Sequence, residues 1–286
     1  MIIDFRVRPP YKSFLDSWIF RARDPKPDPV TISPLHIGLE RYRSFEERSM
    51  SAFIDEMDEA GIDKAVVMGR QSAPAYGAVP NSEVAELVNE YADRFIGFGA
   101  VNGSDVPAAL NELDRIVDYG FKGIAMDNGW SAPPLYDDDE RLSPIYEKCD
   151  RLGLILSLTS SIFIGPDLTY SMPVHIQRVA AAFPKLQITV PHGAWPWTTE
   201  MCAVAFQCRN VNLVPDFYFH VPNTPGAEQY LRAANYYLQH RLLYASSYPV
   251  RPLRQSVEQF KALAFEKDET RQLCLGRNAA RLLGLS

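Results

Sequence analysis

Three observations predict an α/β chain of the closed (β/α)8 barrel class. Short β-branched or apolar runs alternate with longer stretches that carry apolar residues at i, i+3 and i+4, several of which close on Gly. Alternation with short connections builds a parallel sheet, and eight repeats within 286 residues favour a barrel over an open sheet. No glycine fingerprint for a dinucleotide follows the first strand, as it would in an open doubly wound sheet. The prediction is one domain over residues 1–286.

The elements follow in order. "MIIDFRVRPP" alternates apolar and polar residues and stops at Pro9, which reads as a first strand with Arg6 and Arg8 on one side. Residues 9–44, rich in Pro, Arg and aromatic side chains, read as a long first βα-loop over the barrel mouth. "SFEERSMSAFIDEMDEAG" is a helix and "DKAVVMGR" (63–70) the second strand. "NSEVAELVNEYAD" leads to "RFIGFGAVN" (94–102), and "DVPAALNELDRIVDYG" to "GFKGIAMDN" (120–128). The acidic run "YDDDE" (136–140) reads as a solvated approach to the helix "RLSPIYEKCDRLG". Strands "LGLILSLTSS" (152–161), "LQITVPHG" (186–193), "NVNLVPDF" (210–217) and "RLLYASSYP" (241–249) complete the eight. The helices "MPVHIQRVAAAFP", "TTEMCAVAFQCR" and "AEQYLRAANYYLQ" connect them, and "ETRQLCLGRNAARLLGL" closes the chain.

A formal charge of −6 without a basic stripe argues against a nucleic-acid partner. No apolar run approaches the ~18 residues needed to cross a bilayer, and no signal segment opens the chain. Cys149, Cys202, Cys208 and Cys274 lack metal-site or disulfide spacing. Reduced thiols in a cytoplasmic protein are therefore expected. Barrel chemistry belongs at the carboxyl ends of the strands, which directs attention to Arg6, Arg8, Arg70, Asn102, Asp127, Asn128, Thr159, His192, Asp216 and Ser246 to Tyr248.

In order along the chain, "MIIDFRVR", "RFIGFGAVN", "GFKGIAM", "LGLILSLTSS", "FPKLQITVPHGAWPW", "RLLYASSYPV" and "GRNAARLLGL" resemble segments of the amidohydrolase-related family of metal-dependent barrel hydrolases and decarboxylases. The resemblance places Arg6 and Arg8 where the family has its two strand-one histidines, Thr159 at the strand-five histidine and Ser247 at the strand-eight aspartate. His192 alone keeps its ligand type. A catalytic zinc needs three protein ligands, and a guanidinium has no lone pair to give. No metal and no other cofactor is expected. Arg forks suit carboxylates, so Arg6 and Arg8 are expected to hold a small anionic substrate in the metal's place.

The leading expectation is hydrolysis of a carboxylated ester, lactone or amide, with catalysis by His192, Asp216 and Asp127. Asp127 and Asp216 each serve either as base, as partner to His192, or as an Arg counter-ion. Arg70, Thr159, Trp195, Ser247, Tyr248 and Arg251 join Arg6 and Arg8 as substrate-binding candidates. His220 is the other histidine with a path to the mouth. One alternative is a lyase that decarboxylates a carboxylated ring or dicarboxylate; the other is an inactive barrel that only binds. The family resemblance also implies a possible homodimer.

Overall fold

The computed structural model of the chain describes residues 1–17, 20 and 42–285. Most of the excursion expected over the mouth, residues 9–44, lies outside the described residues. Among those described, seven of the eight runs form strands: β1 (Ile3–Val7), β2 (Lys64–Met68), β3 (Phe95–Ala100), β4 (Gly123–Met126), β5 (Ile155–Leu158), β6 (Ile188–Pro191) and β7 (Val211–Val214). They lie in chain order in one parallel sheet. Helices cover the outside, so both faces are dry and near-continuous apolar runs suit these strands.

The eighth run closes the ring without becoming a regular strand. On one side Leu213 N–H donates to Arg241 O (2.8 Å) and Leu243 N–H to Leu213 O (2.9 Å). On the other, Phe5 N–H donates to Tyr244 O and Arg8 N–H to Tyr248 O, both at 2.9 Å. Between these bonds the ladder is interrupted, because Ser246 N–H is taken by the Asp4 carboxylate (3.0 Å) and Ser247 turns to φ +57.

The barrel interior is filled by alternate residues of successive strands, among them Phe5, Val66, Met68, Phe98, Ile155 and Leu243. Val7 instead packs outward, in the cluster that contains Phe53 and Met57. The side changes at a bulge: Asp4 pairs with Ala65 but Val7 with Val67, three steps on β1 against two on β2. Phe5 can thus fill the interior while Arg6, its neighbour, also reaches the mouth. At the opposite end the closing helix, continuous through a π turn at Leu273–Arg277, plugs the barrel with Ala279 and Leu283. Gly276 permits this docking, since a Cβ there would lie 2.3 Å from Met1 O.

Two local expectations change. The helix predicted from residue 44 to 61 is two helices, Arg43–Glu47 and Met50–Ala60, because Arg48 adopts φ +50 and Ser49 Oγ caps the second by accepting from Ala52 N–H (3.2 Å). The acidic run is not uniformly solvated. Asp137 is buried, accepts from Asn128 Nδ2 (2.8 Å), and burial raises its pKa to about 7. Asp138 bridges His175 and Arg178, and Asp139 pairs with Arg141. Among the described residues no helix is long and apolar enough to cross a membrane.

Asp4 makes the fold pH-sensitive. Burial raises its pKa from 3.8 to about 7, against hydrogen bonds from Ser246 and the Arg6 backbone. A carboxyl raised above its unfolded value stabilises fully below pH 4, and that contribution is lost as pH rises through 7. The whole displacement is worth roughly 4 kcal/mol at 1.36 kcal/mol per pH unit. Asp4→Asn keeps an acceptor for both backbone N–H groups and never ionises. Urea unfolding at pH 5 and pH 8 is expected to shift the stability difference toward Asp4→Asn by roughly 2–3 kcal/mol. A difference that stays constant with pH would refute this.

Candidate active site

The carboxyl ends of β1, β6, β7 and the eighth segment meet at Arg6. Its side chain is 3% exposed as a residue, and Nη1 lies 3.0 Å from His192 Nε2, 3.1 Å from Asp216 Oδ2 and 3.1 Å from Ser247 Oγ. Ser247 Oγ in turn donates to Asp216 Oδ2 at 2.5 Å. A guanidinium only donates, so Nε2 of His192 is the acceptor and the imidazole proton sits on Nδ1. Nδ1 is 3.1 Å from Asp216 Oδ2 but misaligned, and it makes no hydrogen bond. Local backbone geometry holds the cluster: His192, Asp216 and Ser247 have φ of +66, +58 and +57, costly values for residues with a Cβ. Gly193, also left-handed at φ +58, allows close approach, since a Cβ there would meet Tyr230 Oη at 2.9 Å.

Arg70 does not continue β2. It belongs to a small hairpin, Arg70–Gln71 against Ala78–Val79. Its Nε donates to Asp127 Oδ2 (3.1 Å), its Nη1 to Tyr76 O (3.4 Å), and its guanidinium lies 5.0 Å from the Trp130 ring centroid. Arg8 differs from both. Its backbone is tied to Tyr248, but its guanidinium has neither a carboxylate nor another hydrogen-bond acceptor among the described residues.

Arg6, Arg8, Arg70 and His192 line one cavity, with Trp130, Ser161, Phe163, Phe217, Tyr218 and Val250. The loops after β4 and β5 form the far wall: Trp130 Nε1 donates to Phe163 O (2.6 Å), and Gly129 lets the chains touch, since a Cβ there would lie 2.8 Å from Gly165 N.

The remaining sequence candidates stand behind the wall or away from it. Asp127 is the counter-ion of Arg70, and the Thr159 side chain favours its ionised form. Asp216 and Ser247 are tied to Arg6. Tyr248, expected to contact substrate, is 0% exposed; it packs edge-on against Phe53 at 4.6 Å and bonds Ser44 Oγ at 2.8 Å. Trp195 stacks on the back of Tyr218 (4.7 Å, 10°) with Nε1 donating to Pro225 O. Arg251 is buried 5.8 Å from the Phe217 ring centroid, outside the cavity lining. His220 faces the helix layer, where Nε2 meets Ser256 Oγ at 2.8 Å.

Phe217 and Tyr218 were missed by sequence reasoning. Their signal, two aromatics directly after Asp216 in "PDFYF", becomes a wall only because Asp216 turns left-handed. Trp130, Ser161 and Phe163 carry no comparable signal.

Charge explains the state of each group. Burial, then the fields of Arg6, Arg8 and Arg70, hold the His192 imidazole well below its usual range, so it is neutral at neutral pH. Burial raises the Asp216 pKa, with Arg6 and Ser247 opposing. Burial works the same way on Asp127, but Arg70, Thr159, Arg8 and Arg6 outweigh it and leave that carboxyl below its ordinary value. Burial and the neighbouring Arg6 and Arg70 push Arg8 well below its usual value, and the charge it carries lacks a partner. Three guanidinium groups face two carboxylates, so at least one positive charge is uncompensated.

This donor set does not fit a divalent metal. Among the described residues no three His, Cys, Asp or Glu side chains form a group able to hold one. An ion bound to both His192 Nε2 and Asp216 Oδ2 would also collide with Arg6 Nη1, already 3.0–3.1 Å from each.

Comparison with known proteins gives relations of three kinds. The family model described as "Amidohydrolase" matches residues 33–285. Among curated proteins, 2-amino-3-carboxymuconate-6-semialdehyde decarboxylase of Dictyostelium discoideum is 26% identical over 72% of this chain and 65% of its own length. Gamma-resorcylate decarboxylase of Rhizobium radiobacter is 30% identical over 48% of this chain and 53% of its own. The chain thus covers less than two thirds of either relative. Among solved structures, a TIM-barrel protein from Bordetella bronchiseptica superposes with a TM-score of 0.91 at 35% identity, over 99% of this chain and 98% of that one.

Proposed function

This chain belongs to the amidohydrolase family, and on that premise we propose that it is a lyase that removes carbon dioxide from a small, flat, carboxylated substrate without a metal ion. The observation that carries the proposal is the unpartnered Arg8 guanidinium in a cavity walled by Trp130, Phe163, Phe217 and Tyr218. A cation partly withdrawn from water without a counter-ion is costly, and a carboxylate fork is its natural complement. The aromatic walls suit a planar ligand. Both curated relatives are named as decarboxylases, which supports the same reading.

Hydrolysis, the leading expectation from the sequence, fits this geometry less well. It needs a base to activate water. The only lone pair of neutral His192 accepts from Arg6, Asp216 is held by Arg6 and Ser247, and Asp127 is held by Arg70. Decarboxylation asks for no such base. Arg8 clamps the substrate carboxylate, and the N–H groups of Arg6 beyond Nη1, which lack partners among the described residues, offset negative charge developing on the substrate.

The test is carbon dioxide release from a panel of hydroxylated and dicarboxylated benzoates, beside lactone and ester panels, with and without chelator. Release that chelator leaves unchanged is expected. Chelator-sensitive turnover would overturn the metal-free reading, turnover of lactones alone would restore the hydrolase, and tight binding without turnover would make the barrel a binding protein.

A further inference from the structure

Decarboxylation leaves an electron pair on carbon that must take up a proton, and most of the cavity lining has none to give. Trp130, Phe163, Phe217 and Val250 have no acidic O–H. The guanidinium groups of Arg6, Arg8 and Arg70 donate hydrogen bonds but do not give up a proton. His192 is neutral, its one N–H lies on Nδ1 without a hydrogen bond, and a neutral imidazole N–H is a poorer acid than a phenol. Asp216 does not line the cavity. Two hydroxyls remain, Ser161 and Tyr218, and an aliphatic alcohol is a far weaker acid than a phenol.

Tyr218 is also set in place for chemistry. Its ring is fixed between Trp195, stacked at 4.7 Å, and Phe217 at 4.2 Å, and it meets the His192 ring edge-on at 5.8 Å. The residue is 5% exposed, yet its hydroxyl has no hydrogen-bond partner among the described residues. A buried phenol is ordinarily satisfied; this one belongs to a residue that lines the cavity and has its donor uncommitted among the described residues. Burial raises its pKa, with Asp216 adding and Arg6 opposing, so the hydroxyl keeps its proton across the working range and Arg6 stands near the phenolate once formed.

Resting on the lyase reading, we infer that Tyr218 is the proton donor. The bond between the carboxylate and its carbon breaks, its electron pair stays on that carbon, and carbon dioxide departs. The same carbon then takes the Tyr218 hydroxyl proton, and the phenolate recovers a proton from solvent. No oxidant or second substrate is required.

Tyr218→Phe removes one oxygen that makes no hydrogen bond among the described residues, so folding should be unaffected. On a substrate from the panel above, kcat for carbon dioxide release is expected to fall about 100-fold or more. Binding of an unreactive benzoate, measured by calorimetry, should change less than threefold. An unchanged kcat would remove Tyr218 as the donor while leaving the lyase intact, and equal losses of kcat and benzoate affinity would reduce it to a binding contact. Wild-type protein that releases no carbon dioxide from any panel member would overturn the lyase reading itself, and the donor role with it.

Discussion

Replacing Arg8 by Met is expected to cost two to three orders of magnitude in affinity for a carboxylate ligand while leaving the fold as stable as before, or more so. Losing one partner of a desolvated charge pair costs about 2–5 kcal/mol in binding, which corresponds to that range of Kd. The stability result runs against the usual effect of deleting a partly buried side chain. In the empty protein Arg8 has no carboxylate partner among the described residues, and Arg6 and Arg70 both repel it. Met keeps much of the stem packing and removes the repulsion, so thermal unfolding should shift upward or not at all. Arg8→Lys retains the charge without the planar fork and should fall between. Calorimetry with benzoate, beside thermal melts, decides the matter. Affinity that survives Arg8→Met would place the anion site elsewhere.

Asp216→Ala carries the second large effect, with the opposite balance. It strands the Arg6 guanidinium, almost wholly buried, without its carboxylate. Breaking a buried pair from one side typically costs about 3–5 kcal/mol, and Ser247 loses its acceptor as well. Turnover should vanish, because the carboxylate that holds Arg6 beside His192 is gone. The diagnostic is the pair of changes made together: Arg6→Met with Asp216→Leu should regain most of the lost stability and none of the activity, since a matched apolar pair avoids the desolvation cost. A double variant no more stable than Asp216→Ala would mean that the ion pair is not what the single change destroys.

How far the site could be read from the chain varies residue by residue. Arg6 and Arg8 were visible because strand alternation aligns positions two apart, although the β1 bulge, unreadable from side-chain pattern, is what lets Phe5 share the interior with Arg6. His192 was visible from its place before "GAWPW". Tyr248 was misplaced, since a tyrosine at a strand end looks the same whether it faces the mouth or the helix layer; here Ser247 at φ +57 turns it toward Phe53. Asp137 looked solvated among its acidic neighbours, but it is buried, with Asn128 from the loop after β4 donating to its carboxylate.

By itself, the order of apolar runs and helical periods determined a parallel barrel with its strands in chain order, because hydrophobic periodicity and short connections are local properties of the chain. It also determined that cations stand at the end of the first strand. Which cation is left without a partner was decided by tertiary structure alone. Asp216 and Asp127 lie more than fifty residues from the arginines they neutralise, and Coulomb attraction acts over distance in space, which sequence separation does not record.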